Sequence, residues 1–249
     1  MIDFHCHILP GIDDGASSWD ESLAMARFCA ADGIRQVFAT PHCHKYIHLL
    51  RVDILPVVDE LNARLVAKGI AVEILPGSEI QVIDTADYRR EFESGVFCHL
   101  GGGLEFTLLE FNWAREQFPP DAAGLVSWLR ARGTTPILAH PERHGYFDRE
   151  PGLLRGLVDA GAWVQVTVDS ILGNHGPDPA IAAERILREY SDTVLSTDAH
   201  NLFSCSGHDL VRCSGLAAGY AWVREHLGQE RSDELAARAE SALARIRSR

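Results

Sequence analysis

The sequence is poor in lysine, in paired cysteines and in long apolar runs. Lysine occurs only at positions 45 and 68, and every other basic residue is an arginine. The six cysteines are scattered without CxxC spacing, as is typical of small core residues. No segment approaches the ~18 consecutive apolar residues of a membrane span, and no basic-then-apolar leader precedes the first strand-like residues. We therefore expect a cytoplasmic protein with reduced thiols.

The acidic net charge narrows the classes of partner. The chain carries 35 acidic and 23 basic residues, which gives a formal net charge of −12. Such a surface argues against a nucleic acid or an anionic membrane as the main partner. An anionic substrate would not be drawn in by the overall field either. A phosphate would therefore have to be captured locally, by metal ions and a few arginines.

Short apolar runs alternate with helical segments along the whole chain. This alternation predicts βαβ units, a parallel sheet and an α/β fold. A length of 249 residues is ordinary for one α/β barrel, and we expect a single domain over residues 1–249. The predicted strands are Met1–Phe4, Gln36–Ala39, Val72–Leu75, Phe106–Leu109, Pro136–Ala139, Trp163–Val166 and Thr193–Leu195.

The first helix has the clearest boundaries. Ser18 and Glu21 have the spacing of a capping box, and Gly33 is a natural stop. Other helices are predicted on similar grounds, and the alanine-, leucine- and arginine-rich tail is expected to form a helix pair that closes the barrel. These segments are Val52–Lys68, Asp121–Arg132, Leu153–Ala160, Pro179–Tyr190 and Gly219–Arg249.

Polar residues able to bind metal follow almost every predicted strand. The carboxyl ends of parallel barrel strands share one face, so residues distant in sequence should converge there. Asp13 and Asp14 are adjacent, and we expect Asp14 to be the ligand while Asp13 supports the turn, although the spacing allows either. The candidate ligands are His5, His7, Asp14, His42, Glu79, Glu110, His140, Asp198 and His200.

Two of these pairs have a spacing that suits a shared cation. In a strand, His5 and His7 point to the same side because side chains repeat every two residues, and Asp198 with His200 has the same spacing. Nine nitrogen and oxygen ligands suit two or three divalent ions, for which manganese, iron, zinc and magnesium are all reasonable. Several ions held close together suit phosphoester hydrolysis, because one can activate a water while others hold the phosphate oxygens.

The motifs HCHILPGIDDG, ATPH, GSEI, LLEF, AHPER and STDAH resemble those of the PHP (polymerase and histidinol phosphatase) superfamily. Within it, they are similar to the CpsB/YwqE-type protein-tyrosine phosphatases of bacterial capsule and exopolysaccharide synthesis. The resemblance implies a distorted (β/α)7 TIM-like barrel and a trinuclear site that prefers Mn2+. It implies one ion held by His5, His7, Glu79 and Asp198, a second by Glu79, Glu110 and His140, and a third by Asp14, His42 and His200.

The resemblance also implies a substrate and a catalytic arginine. The substrate would be phosphotyrosine on a bacterial tyrosine kinase that controls polysaccharide synthesis. Arg143 falls on the arginine proposed for the family to bind phosphate and stabilise the transition state; the alternative is a salt bridge to Glu142 or Asp148. His42, His200 or a metal-bound water could supply a proton to a poor leaving group, and the sequence does not choose among them.

Several other residues receive plainer predictions. His44 and His48 are expected at the surface or beside the ligands, with substrate contact as the alternative. Whether His144 lies at the mouth of the site stays open. His175 and His208 lie in glycine-containing loops and are expected at the surface. The tryptophans are expected to serve core or oligomer packing, and a homo-oligomer is compatible with the sequence; these are Trp113, Trp128, Trp163 and Trp222.

Three competing functions are kept open. A metal-dependent amidohydrolase or deaminase would often carry a carboxylated lysine at the fourth strand, where this chain has Glu110. A small-molecule phosphoesterase of the same superfamily, acting on histidinol phosphate, another monoester or a diester, would differ in substrate preference. A non-catalytic regulatory protein on the same fold is disfavoured by the complete set of candidate ligands.

Overall fold

All seven predicted strands are present in the computed structural model. The structure describes residues 1–206, 209–212 and 214–248. At residues 203–206 and 209–212 it describes the backbone alone. Two additional short strands, β3 (His42–Cys43) and β5 (Glu79–Val82), continue β2 and β4 after a break of two residues. The seven strands predicted from the sequence are β1 (Ile2–Cys6), β2 (Gln36–Ala39), β4 (Glu73–Pro76), β6 (Phe106–Phe111), β7 (Thr135–Leu138), β8 (Trp163–Thr167) and β9 (Thr193–Ser196).

The strands pair in parallel in chain order, which gives the predicted distorted (β/α)7 arrangement. One sheet has the order β1-β2-β4 and the other the order β3-β5-β6-β7-β8-β9. The residues after β9 return to β1, because the Asp198 N–H donates to the His5 carbonyl and the His7 N–H to the Ala199 carbonyl, both at 2.9 Å. Seven parallel strand units therefore surround one interior.

The predicted helices are present with small changes at their ends. Ser18 caps α1 by accepting the Glu21 N–H at 3.3 Å, but the Glu21 carboxylate binds Ser17 and not the Ser18 backbone, so only half of the capping box forms. The helices are α1 (Trp19–Asp32), α2 (Arg51–Ala67), α3 (Thr85–Ser94), α4 (Ala122–Ala131), α5 (Gly145–Arg149), α6 (Pro151–Asp159), α7 (Val168–Ile171), α8 (Pro177–Glu189), α9 (Leu216–Leu227) and α10 (Gln229–Arg247).

Besides β3 and β5, the sequence analysis did not predict three helices and one hairpin of the described residues. They are α3, α5, α7 and an antiparallel hairpin of β10 (Phe203–Ser206) and β11 (Asp209–Arg212). The helix α3 is largely exposed and highly charged, so its two buried aromatic residues, Tyr88 and Phe92, give only a weak apolar pattern. No helix among the described residues is both long and apolar enough to cross a membrane.

The barrel interior is filled at one end by side chains and by the last helix, as predicted for the tail. Phe4 stacks on Phe38 at 4.9 Å, and both belong to a buried cluster that includes Ala239, Ala242 and Leu243 of α10. A register shift in β1, between Asp3 and Cys6, inserts one extra residue relative to β2. Such a bulge redirects the side chains within it and after it, and His5 and His7 point to the opposite end of the interior.

Candidate metal centre

The nine candidate ligands meet at the carboxyl ends of the strands. Five of them, His5, His7, Glu79, Glu110 and His140, are fully buried. Their donor atoms form four overlapping groups in which all atoms of a group lie within 4.8 Å of one another. The groups are His7, Asp14, His42 and His200; His5, His140 and Asp198; His5, His7 and Glu79; and His42, Glu79 and Glu110.

Hydrogen bonds fix the orientation of the two histidines of β1. Gln165 Oε1 accepts the backbone N–H of His140 at 2.9 Å, so this atom is an acceptor, and the His5 Nδ1 at 3.1 Å must donate to it. Asp13 Oδ2 accepts from the His7 Nδ1 at 2.7 Å. When Nδ1 carries the proton of a neutral imidazole, Nε2 presents its lone pair. The two Nε2 atoms face each other at 3.1 Å, and at most one of them can be protonated at that separation.

Buried acceptor atoms converge on the same space without hydrogen bonds. Glu79 Oε2 lies 3.3 Å from His5 Nε2, 3.5 Å from His7 Nε2 and 2.9 Å from His42 Nδ1. Among the described residues, the buried side-chain atoms without a hydrogen-bond partner include Glu79 Oε2, Asp198 Oδ1, His42 Nδ1 and His140 Nδ1. Leaving such atoms unpaired is costly, whereas a cation between them would satisfy several at once. The residues present therefore fit a metal centre.

The open side of the cluster is formed by Asp14, His42 and His200. Asp14 Oδ1 lies 3.4 Å from His42 Nε2 and 3.5 Å from His200 Nε2. The Nδ1–H of His200 donates to the Asp198 carbonyl at 3.1 Å, which directs its Nε2 toward Asp14. Asp13, by contrast, accepts from His7, Gly15 and the His42 backbone. The structure thus brings Asp14 into the cluster and gives Asp13 the supporting position.

The charges of the cluster compensate one another. Burial opposes ionisation of Glu79 and Asp198, but the imidazoles around them, His5 first, lower the pKa of both carboxyl groups well below the ordinary value. Burial also disfavours the charged form of His42, yet Asp14 and Glu79 raise the pKa of His42 to about 10. Burial, followed by the charge of Glu79, raises the pKa of Glu110. The carboxylates of the cluster are thus stabilised by positive charge beside them, which a divalent ion would also supply.

Two residues of the cluster have a left-handed backbone. His140 has φ of 32° and Asp198 has φ of 52°, and they are the only non-glycine residues with positive φ among those described. Such conformations cost of order 1–3 kcal/mol each and persist where the surroundings enforce them. Here the surroundings are the ends of β7 and β9, which bring both side chains against His5. The strain indicates that the positions of these side chains are more constrained than folding alone requires.

Arg143 reaches the cluster through a partner that the sequence did not suggest. Its Nη1 donates to Asp198 Oδ2 at 2.6 Å. The two acids considered as alternative partners are engaged elsewhere, since Glu142 accepts the Thr167 N–H at 2.9 Å and Asp148 pairs with Arg185 at 2.7 Å. The alternative prediction, a salt bridge from Arg143 to Glu142 or Asp148, is therefore wrong.

A model of the family described as "Capsular polysaccharide synthesis, CpsB/CapC" matches residues 1–244. The chain belongs to the CpsB/CapC family. A tyrosine-protein phosphatase, YwqE of Bacillus subtilis, is 33% identical over 203 residues, covering 81% of this chain and 78% of that protein. The tyrosine-protein phosphatase CpsB of Streptococcus pneumoniae is 26% identical, covering 82% and 84%.

A solved structure supports the same assignment for this CpsB/CapC protein. Crystal structures of YwqE from B. subtilis and CpsB from S. pneumoniae, described as unique metal-dependent tyrosine phosphatases, include a chain that superposes with a TM-score of 0.88. That chain is 30% identical, and the match covers 98% of this protein and 94% of that one. The resemblance inferred from the motifs is thus confirmed, together with the fold.

Among the other histidines of the CpsB/CapC chain, the structure decides the open question of His144 and changes the surface prediction for His175. His144 is not at the mouth: it is buried and donates its Nε2–H to the Phe111 carbonyl at 2.9 Å, and burial lowers its pKa to about 4. His175 is half-buried and bonded to Ser170 Oγ at 3.0 Å, so it is not a free surface residue. His208 lies outside the described residues.

The histidines after His42 lie along a groove. His44, Lys45 and His48 form one side of a groove of about 320 Å³ that begins beside the cluster, and His48 pairs with Glu91 on α3 at 3.2 Å.

Among the tryptophans, the expected packing role holds for Trp163, which is buried, while Trp128 and Trp222 pack against the core from its edge. Trp113 differs, because the residue is 49% exposed.

Sequence reasoning missed Gln165, whose amide holds two members of the cluster. It lies inside the run WVQVT of β8, where a single amide gives no signal of a site. Only the fold shows that its Oε1 receives both His5 and His140. Asp3 was also missed: it is buried at the β1 bulge and accepts the Thr197 hydroxyl at 2.6 Å, which ties β1 to the end of β9.

Proposed function

We propose that this chain is a metal-dependent protein-tyrosine phosphatase that acts on a bacterial tyrosine kinase of capsular or exopolysaccharide synthesis. The observation that carries the proposal is the convergence of imidazole nitrogens and unpaired carboxylate oxygens at one strand-end cluster. The names of the relatives support the substrate, since YwqE and CpsB are tyrosine-protein phosphatases. A cytoplasmic location and a homo-oligomeric state stay predictions.

The proposed ligands would hold two to three divalent ions, with Mn2+ as the first choice and iron, zinc or magnesium as alternatives. His5, His7, Glu79 and Asp198 would surround the innermost ion. Glu79 is close enough to His42 and Glu110 to share a second, and His140 Nε2 lies 2.9 Å from Glu79 Oε1. Asp14, His42 and His200 would hold the ion nearest to solvent. His42 and His200 would therefore act as ligands, which leaves a proton-donating role to be tested.

The ions would activate a water and neutralise the phosphate oxygens, and this chain's own residues would orient both partners. Asp13 and Gln165 hold the histidine tautomers that direct lone pairs into the cluster. Arg143 uses one of its five N–H donors on Asp198, which leaves others for a phosphate oxygen as charge develops there. A phenolate leaving group, with a pKa near ~10, departs without strong acid assistance.

The decisive experiment combines metal analysis with a substrate comparison. Elemental analysis of the purified protein identifies the bound metals, and each candidate metal is then added to metal-free protein. Hydrolysis of a phosphotyrosyl peptide is compared with that of histidinol phosphate and a phosphodiester. We expect the peptide to be preferred. Preference for histidinol phosphate or the diester would indicate a small-molecule phosphoesterase, and a metal-loaded protein inert on all three would indicate a regulatory role.

A further inference from the structure

A half-exposed indole stands beside the cluster. Trp113 follows β6 by two residues and lies three residues after Glu110. One side of its ring stacks on His144, with centroids 4.4 Å apart and an interplanar angle of 9°, and the ring is nearly parallel to His140 at 5.6 Å. His140 belongs to the candidate metal centre. The indole therefore extends an aromatic stack from the cluster toward solvent.

The same ring lies next to the arginine that we propose to bind phosphate. The guanidinium carbon of Arg143 is 5.1 Å from the Trp113 ring centroid, and Arg143 also donates to Asp198. If Arg143 and the metal centre held a phosphate, its ester group would lie close to the indole. An aromatic ring attached to that phosphate could then lie against Trp113.

Packing alone does not account for this arrangement. A tryptophan that serves the core buries its large apolar surface, as Trp163 does at 7% exposure, whereas Trp113 leaves 49% of its surface exposed. His144 needs no indole to hold its position, because its ring is anchored to the Phe111 carbonyl. A half-exposed aromatic side chain beside a phosphate site is suited to contact a ring in the substrate.

We propose that Trp113 determines specificity by stacking on the aryl ring of the phosphoester, so that aryl phosphates are preferred over alkyl phosphates. This inference rests on the proposed phosphatase function and adds the residue that selects the alcohol part of the ester. Aromatic pairs favour offset or edge-on contacts with centroids about 4.5–7 Å apart. Removing such a contact should weaken the binding of an aryl ligand by roughly fivefold.

The test uses two stable phosphonates on the metal-loaded protein. Inhibition constants of phenylphosphonate and methylphosphonate are measured against hydrolysis of para-nitrophenyl phosphate in the wild type, Trp113→Leu and Trp113→Phe. We expect Trp113→Leu to raise the constant for phenylphosphonate by roughly fivefold and to leave that for methylphosphonate unchanged. Trp113→Phe should retain most of the preference because it keeps an aromatic face.

A remote tryptophan provides the matched control. Trp128 on α4 also stacks with an arginine, Arg132, at 3.7 Å, and Trp128→Leu should alter neither constant. Equal loss of both phosphonates in Trp113→Leu would mean that the indole only positions Arg143 or His140, and the inference would be overturned. It would also be overturned if the wild type bound both phosphonates equally, even if Trp113→Leu failed to fold. Absence of phosphatase activity in the wild type would instead reject the proposed function.

Discussion

Replacing Asp13 by asparagine should weaken metal binding without removing any proposed ligand. Asp13 Oδ2 accepts from His7 Nδ1 at 2.7 Å and from the His42 N–H at 3.2 Å, while its Oδ1 accepts from the Gly15 N–H at 3.0 Å. Both oxygens therefore face donors. Whichever way an asparagine amide is turned, its NH2 group must face one of these donors.

The expected loss of metal affinity depends on which donor the NH2 group of the asparagine faces. If the NH2 group faces His7, the ring must place its proton on Nε2, which then points at Glu79 and Asp198 and cannot bind an ion. If it faces Gly15, the loop that carries Asp14 loses a hydrogen bond and an unpaired donor costs about 1–3 kcal/mol. Loss of a partner that orients a metal-bound histidine typically costs about 10–100-fold in metal affinity, and we expect a decrease in that range.

The assay is a calorimetric titration of metal-free protein with Mn2+, accompanied by circular dichroism to confirm folding. Asp84→Asn is the matched control, since Asp84 also accepts two backbone N–H groups, at 2.8 and 2.9 Å, but it does so at the exposed start of α3. Asparagine is an equally good cap there, so affinity should be unchanged. A folded Asp13→Asn protein with wild-type Mn2+ affinity would refute the tautomer argument.

Three further predictions concern charge. Arg143→Ala should lower kcat by about 100-fold, as for loss of a donor to transition-state charge, with metal content intact by elemental analysis; full activity would reject its role. Mn2+ at 100 times its Kd should raise the free energy of unfolding by about 2.7 kcal/mol, and equal melting temperatures with Mn2+ and with EDTA would contradict a metal centre. Burial, aided by Arg51, lowers the pKa of His99 to about 4. His99 should therefore contribute its full stabilisation above the unfolded pKa of ~6.5 and lose about 1.4 kcal/mol per pH unit between that pKa and about 4. His99→Gln should reduce the slope of stability against pH by that amount in pH-dependent chemical denaturation, and an unchanged slope would exclude a contribution from His99.

The parallel strands could be predicted because each is an apolar run closed by polar or turn residues. Where that contrast is weak, prediction failed. The helix α3 has a cap at Asp84, a left-handed stop at Gly95 and two buried aromatics four residues apart, but its many charged residues hid that pattern. Strands β3 and β5 are short continuations that the sequence analysis did not predict, and a proline at position 41 and a glycine at position 77 separate them from the apolar runs before them. The single-domain assignment stays a prediction.

The candidate ligands could be recognised because metal-binding residue types recur at fixed places relative to the strands. Their supporting residues could not, because support depends on contacts between distant segments. Gln165 meets His5 across 160 positions of sequence, and nothing in the run WVQVT distinguishes it from a buried amide with another partner. The pairing of Arg143 with Asp198 likewise spans 55 positions, whereas sequence reasoning considered only acids nearby in the chain.

The bulge in β1 explains how one short strand serves both the core and the cluster. In a regular strand, alternate residues face the same side, so Ile2 and Phe4 could not share the interior with His5 and His7. The extra residue between Asp3 and Cys6 shifts this alternation. Ile2 and Phe4 then join the apolar interior, Cys6 packs outside it, and both histidines face the cluster. Asp3 stabilises the shift by accepting the His5 N–H at 3.3 Å and the Thr197 N–H at 3.0 Å. The bulge, which Asp3 stabilises, thus lets the HxH motif direct two imidazoles to the side of the strand that also carries Ile2 and Phe4.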